Sequence, residues 1–498
     1  MGLNATEVLK WEQSRIKEQE INKYLKAGCD FIDDSKIESI LKINKTQDKK
    51  IISDIISKSL AIETLTMDET AYLLNVEDKD FLVMMEDAAL KVKKKVYDNR
   101  IVTFAPLYMS NMCLNDCLYC GFRKSNLSAQ RRLLDKEEVV KETEVLAGSI
   151  GHKRLIAVYG EHYLTDTNYI EETLRAIYSV KVKTKNGFGA IHRVNVNSAP
   201  IAISDLKRLR DVGIGTYQVF QETYHHRTYN QIHPRNTIKG NYRWRLYSMH
   251  RAMEAGVDDV GLGVLFGVYD WKFDVMGLVA HTRDLEEKFK IGAHTISFPR
   301  LEPAENTPFT ENPLYKVSDS DFKKLITVIR LAVPYTGMII TARENSKIRT
   351  EALNLGITQT DASTRIGIGA YSDSCSDQDG SRQQFYLGDT RSLDEVIREL
   401  SGMGYITSFC TAGYRCGRTG ENIMHLLRNG EERKFCKLNA VLTFREWLDD
   451  FATEETKKVA EPLLNREMNE IKRQMPGIYP EFEKYYHRIK NGERDLYF

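Results

Sequence analysis

Between residues 101 and 362, eight short β-rich runs alternate with seven helical patterns. The runs cover 101–109, 154–159, 192–197, 216–222, 259–266, 294–300, 337–343 and 357–362. The helical patterns cover 135–147, 169–180, 203–212, 242–255, 273–289, 319–333 and 347–355. Strands alternating with helices are the sequence form of parallel βα units. Right-handed crossovers then leave an open doubly wound sheet or a closed (β/α)8 barrel, and a count of eight favours the α/β TIM barrel. Polar residues stand at the C-terminal ends of several runs: Gly160-Glu161, Asn195 and Asn197, Gln221-Glu222, Arg343-Glu344. One polar strand end is ordinary because loops are wet. Several together point to the rim where a barrel assembles its active site.

The flanks read differently. Residues 1–95 carry apolar side chains at helical spacing among Lys and Glu and contain no Pro, which predicts a helical N-terminal region. Residues 96–372 hold the barrel, and residues 373–498 form a mainly helical C-terminal domain that opens on the irregular stretch SDSCSDQDGSRQQ. Across 498 residues, 71 Lys+Arg oppose 70 Asp+Glu, a balance unlike that of a dedicated nucleic-acid binder. No uncharged apolar run nears the ~18 residues of a membrane span, and the polar start is no secretory signal. The expectation is a cytoplasmic enzyme with neither nucleic acid nor membrane as partner.

Cysteine placement narrows the chemistry. Cys113, Cys117 and Cys120 form C-x3-C-x2-C just after the first run, and Cys410, Cys416 and Cys436 lie together near the C-terminus. Disulfide frameworks belong to small secreted domains, so clustering in a long chain reads as metal or redox chemistry. Thiolates are soft ligands for zinc or for iron–sulfur clusters. Structural zinc usually takes paired knuckles with four ligands, whereas three cysteines suit a [4Fe-4S] cluster with one iron left open.

The phrases FAPLYMSNMCLNDCLYCGF, RVNVN, GIGTYQVFQETYH, RAMEAGVDDVGLGVLFGVYDWKF and GYITSFCTA resemble the radical S-adenosylmethionine (SAM) superfamily. Within it they resemble the aromatic-amino-acid lyases, above all the HydG family of [FeFe]-hydrogenase maturation, over about residues 95–450. The resemblance implies a barrel, a [4Fe-4S] cluster on Cys113, Cys117 and Cys120, SAM, and cleavage of the Cα–Cβ bond of L-tyrosine to p-cresol and dehydroglycine. It implies a flavodoxin- or ferredoxin-type reductant and hydrogenase-maturation partners. It places Glu161 on the SAM amino group, Arg245 on the SAM carboxylate, Asn195 and Glu222 on the ribose, and Arg343 on the tyrosine carboxylate. The glycines Gly261, Gly263 and Gly267 miss the dinucleotide fingerprint in spacing and are expected to let a strand pass close to adenine.

One departure from the family stands out. The family's C-terminal ligand set, C-x2-C-x22-C, has Cys410 and Cys436 at its outer positions here, but Gly413 in the middle. Cys416 is the substitute that sequence offers for a second iron–sulfur cluster, with His281 as a ligand to an extra iron. Four readings stay open: a tyrosine lyase with CO and cyanide formation impaired, a full maturase using a rearranged second cluster, a radical SAM lyase for another aromatic amino acid, and a non-catalytic iron–sulfur carrier.

Overall fold

The structure is a computed structural model, which describes residues 5–46, 48–257, 259–373, 378–416 and 432–498. Among these, eight parallel strands close on themselves: β1 (Arg100–Ser110), β2 (Arg154–Tyr159), β3 (Arg193–Asn197), β4 (Tyr217–Gln218), β5 (Val260–Gly263), β6 (Thr295–Ser297), β7 (Gly337–Ile340) and β8 (Gln359–Asp361). Closure is made by β1 against β8, in register Val102 with Gln359 and Phe104 with Asp361. The expected barrel is the fold. β1 is buried along its whole length, which suits its near-continuous apolar run in a sheet covered on both faces.

The helical patterns cover the outside of this sheet. Ile203–Val212 is observed as expected, whereas the 242–255 pattern divides into Tyr242–Leu246 and Ser248–Glu254. N-terminal helices Asp34–Ile43, Lys49–Leu60, Met67–Leu74 and Lys79–Tyr97 pack on the barrel helices Trp271–Phe289 and Asp319–Ala332. Side chains caps start them: Asp33 accepts from Lys36 N, and Thr66 and Glu69 form a reciprocal capping box. Apolar side chains of the N-terminal, barrel and C-terminal stretches join one continuous core. No described helix is long and apolar enough to cross a membrane.

The C-terminal stretch is not helical throughout. Residues Ile406–Ser408 form β9, a ninth strand parallel to β1. Val102 pairs with β8 and with β9 at once, and β2 begins pairing only at Ala105. β9 therefore occupies the edge of β1 that β2 leaves below Ala105. This brings Cys410, two residues beyond β9, to the N-terminal rim of the barrel near Arg154 at the start of β2. The cluster loop that follows Ser110 lies at the opposite rim.

Candidate active site

A cavity of about 220 Å³ opens at the C-terminal rim, with Cys113, Cys117 and Cys120 in its wall. β1 delivers the loop that carries them, and Gly160 lets it approach: a Cβ there would overlap the Met112 carbonyl oxygen. Asn115, inside the motif, donates to Glu161 Oε2 at 2.5 Å and accepts from Lys239 N at 2.9 Å, tying the loop to two other segments. Gln384 donates to Cys120 Sγ at 3.3 Å. Burial raises all three thiols, Cys117 to about 11, so as free thiols they hold their protons at neutral pH. A bound cation reverses that, because coordination deprotonates a thiol.

Among the described residues no three His, Cys, Asp or Glu side chains converge on a single ion. Three thiols spread around one cavity wall fit a cluster that presents separate irons, and the donor set is the soft one such a cluster takes.

Beside the cysteines sits a buried ionic group. Glu222 Oε1 receives Lys239 Nζ at 2.8 Å and Arg245 Nη2 at 3.3 Å, and Arg245 Nε donates to the Phe220 carbonyl. Burial pushes the Glu222 carboxyl up, but Lys239 and Arg245 outweigh it and hold it below the usual range. Glu222 takes a left-handed backbone, φ 71°, which turns the chain after β4 toward the cavity. Glu161 is different: burial raises its carboxyl despite the Asn115 hydrogen bond, and its Oε1 is buried with no partner. An orphaned carboxylate oxygen on a cavity wall calls for a donor from a ligand.

Arg343 lies past the end of β7 with its guanidinium 3.3 Å from the Phe385 ring centroid. It lines the cavity, and among the described residues it has no hydrogen-bond or ion-pair partner. Its neighbour Glu344 is taken by Arg300. Burial lowers the guanidinium from its usual range, with Tyr108, Glu302 and Glu222 opposing.

The expected site residues do not all arrive where sequence put them. Glu161, Glu222, Arg245 and Arg343 share the cavity with the three cysteines. Asn195 does not: its Oδ1 accepts from Thr216 N at 3.0 Å, deeper in the barrel, and Asn197, one step higher on the same face of β3, lines the cavity instead. The glycines have protein neighbours close by. Gly261 and Gly263 make room for Gln218 and Phe220, whose side chains a Cβ would strike, and so serve neighbouring strands first. Lys239 and Gln384 were invisible to motif reading because nothing local marks them. Asn115 lay within the cysteine motif.

The second candidate site comes apart. Cys410 and Cys436 share a hydrogen bond, which together with Arg154, Arg100 and Arg193 brings the Cys410 thiol down to about 6. Cys416 is exposed and turned to the Phe498 carbonyl at 3.8 Å. Gly413 sits within the short helix Ala412–Arg415. His281 is on the outer helix Trp271–Phe289, with Nδ1 2.9 Å from Tyr224 Oη and its ring stacked on His250, away from every C-terminal cysteine. Its helix packs against the N-terminal layer, which is why it cannot serve the barrel floor. Among the described residues Cys416 and His281 do not stand with the Cys410–Cys436 pair. The histidine that shares Arg154 and Arg193 with Cys410 is His294.

Comparison with known proteins agrees with this geometry. Residues 107–276 match the Radical SAM superfamily and residues 297–406 the Biotin and Thiamin Synthesis associated domain. A crystal structure of HydG, a maturase of the [FeFe]-hydrogenase, is 46% identical, covers 94% of this chain and 100% of its own, and superposes with a TM-score of 0.89. HydG from Carboxydothermus hydrogenoformans is 36% identical over 96% of this chain and 99% of its own, with a TM-score of 0.74. The 2-iminoacetate synthase of Escherichia coli is 27% identical over 351 residues, 70% of this chain and 88% of the relative.

Proposed function

The chain belongs to the radical SAM superfamily and, within it, to the HydG family, and on that footing we propose that it is a lyase of L-tyrosine that releases p-cresol and dehydroglycine. A four-iron cluster on Cys113, Cys117 and Cys120 with one open iron would bind SAM and, on reduction, supply the 5′-deoxyadenosyl radical. A flavodoxin- or ferredoxin-type donor would provide the electron. The chain's own residues then have separable tasks. Glu161 Oε1 accepts from the SAM ammonium, a charge-assisted bond. Arg245, braced by Glu222 and the Phe220 carbonyl, keeps Nη1 for the SAM carboxylate. Glu222 and Asn197 face the cavity where the ribose would lie.

Arg343 carries the substrate assignment. A half-buried guanidinium with no acceptor among the described residues, set over an aromatic ring inside the same cavity as the cysteines, calls for a carboxylate from a ligand. With the carboxylate clamped, the substrate nitrogen is held toward the SAM end, and the task becomes one of orientation. The apolar cavity wall excludes water and stray hydrogen donors.

We extend the proposal to the fate of the products: dehydroglycine leaves without conversion to CO and cyanide, because Gly413 replaces the middle ligand and Cys416 is turned to the Phe498 carbonyl. The test is anaerobic reconstitution followed by reaction with SAM, reductant and tyrosine. Tyrosine-dependent p-cresol supports the reading. 5′-Deoxyadenosine formed without p-cresol, but with release of a different aryl fragment from another amino acid, would reassign the substrate.

A further inference from the structure

One buried carboxyl in the cavity has no task in the scheme above. Asp361 ends β8 and is 3% exposed, yet its side chain lines the cavity. It stands in register with Phe104 on β1, whereas the cluster loop starts beyond Ser110. Six strand residues separate those levels, roughly 20 Å along the strand. Asp361 therefore marks the floor of the cavity, opposite the cysteines. Beside it an apolar patch of wall, Phe104, Ile156 and Ile339, forms a small cluster of its own, with Thr341 and Thr364 completing the surroundings.

The carboxylate is fixed from behind. Oδ1 accepts from Ala342 N at 2.8 Å and lies 3.4 Å from Arg349 Nη2, and Oδ2 accepts from Thr364 Oγ1 at 2.9 Å. Each carboxylate oxygen has two lone-pair sites, so Oδ2, with the Thr364 hydroxyl as its one donor, keeps an acceptor position. Burial raises the carboxyl, and Arg349, Thr364 and Ala342 N oppose that. Arg343 is two residues further along the chain than Thr341, which the Ile340–Thr360 register sets level with Asp361. The chain turns there, Glu344 N donating to the Thr341 carbonyl, so Arg343 stands beyond the strand's exit, on the rim side of Asp361 in the same cavity.

We infer that Asp361 is the residue that selects a para-hydroxyl: its Oδ2 accepts the phenolic O–H of a substrate whose carboxylate is held by Arg343 and whose ring lies against Phe104, Ile156 and Ile339. This rests on the tyrosine reading and adds the specificity determinant. The physical reason is asymmetry. An aromatic amino acid lacking the hydroxyl leaves a buried carboxylate facing an apolar ring, whereas tyrosine satisfies it.

The test uses reconstituted, SAM-loaded holoenzyme and amino-acid binding by calorimetry, with p-cresol formation measured in parallel. Wild type should bind tyrosine about 10–100-fold more tightly than phenylalanine or 4-methoxyphenylalanine, the cost of losing one hydrogen bond to a charged group. 4-Methoxyphenylalanine keeps the oxygen but loses the donor and adds a methyl, so it is read beside 4-fluorophenylalanine, which loses the donor without that bulk. Asp361→Asn should lower tyrosine affinity by a similar factor, leave phenylalanine binding little changed, and so collapse the discrimination. Wild type that binds 4-methoxyphenylalanine as well as tyrosine overturns the inference, as does Asp361→Asn with undiminished preference. If the Asn variant loses its iron, the wild-type series decides alone. Wild type that neither binds tyrosine nor makes p-cresol removes the substrate reading, and this inference with it.

Discussion

Replacing Arg343 by Lys separates substrate binding from SAM chemistry. Among the described residues the guanidinium has no acceptor, so its cavity-facing donors are available to a carboxylate, and the Phe385 ring centroid lies 3.3 Å from it. Lys keeps the charge but presents one point donor without a fork. The loss is about one charge-assisted hydrogen bond, 1.5–3 kcal/mol, which is roughly 10–100-fold in the tyrosine concentration required. The assay is p-cresol against tyrosine concentration, with 5′-deoxyadenosine followed in the same samples. Arg343→Lys should raise the tyrosine KM by that factor with a smaller change in kcat, and uncoupled SAM cleavage should persist because Arg343 is not among the groups assigned to SAM. Wild-type p-cresol yield at low tyrosine would show that another residue holds the carboxylate.

Further outcomes follow from the same geometry. Cys113→Ala, Cys117→Ala and Cys120→Ala should each abolish 5′-deoxyadenosine formation and bleach the cluster absorbance, and residual SAM cleavage in all three would refute the cluster assignment. Glu222→Gln leaves Lys239 and Arg245 buried without their carboxylate, which should cost roughly 3–5 kcal/mol, read as a lower denaturation midpoint. His226 is held by Asp30 and Asp34: burial alone would lower it, but their hydrogen bonds and charges lift it to about 9. A folded value above the usual ~6.5 means stability that is complete below pH ~6.5 and lost as pH rises through about 9. Melting temperature should therefore fall more between pH 6.5 and 9 for wild type than for His226→Gln, and parallel slopes would contradict that.

The barrel was legible because its signals are local. β2 falls on the predicted 154–159, and Ile203–Val212 on its predicted helix, since apolar periodicity alone decides both. Predicted run 216–222 is only Tyr217–Gln218 as a strand, because Glu222 turns into a left-handed conformation for the sake of its ion pair. β9 escaped notice: three residues, Ile406–Ser408, become a strand only because β1 outlasts β2 at its lower end. Site residues followed the same divide. Cys113, Cys117 and Cys120 announce themselves by spacing, whereas choosing Asn197 over Asn195 depends on depth in the barrel, which a sequence does not record. His281 shows the same divide. Its helical position is readable, but the face it shows is set by packing against Tyr224 and His250.

The central claim is that scission of tyrosine is retained while conversion of its two-carbon fragment is lost. It is tested most directly by one anaerobic reaction of reconstituted protein with SAM, reductant and tyrosine, quantifying p-cresol, glyoxylate from dehydroglycine, and CO trapped by a ferrous haem protein. The account predicts p-cresol and glyoxylate in equal amounts with no trapped CO. Trapped CO rising with p-cresol as glyoxylate falls short would contradict it.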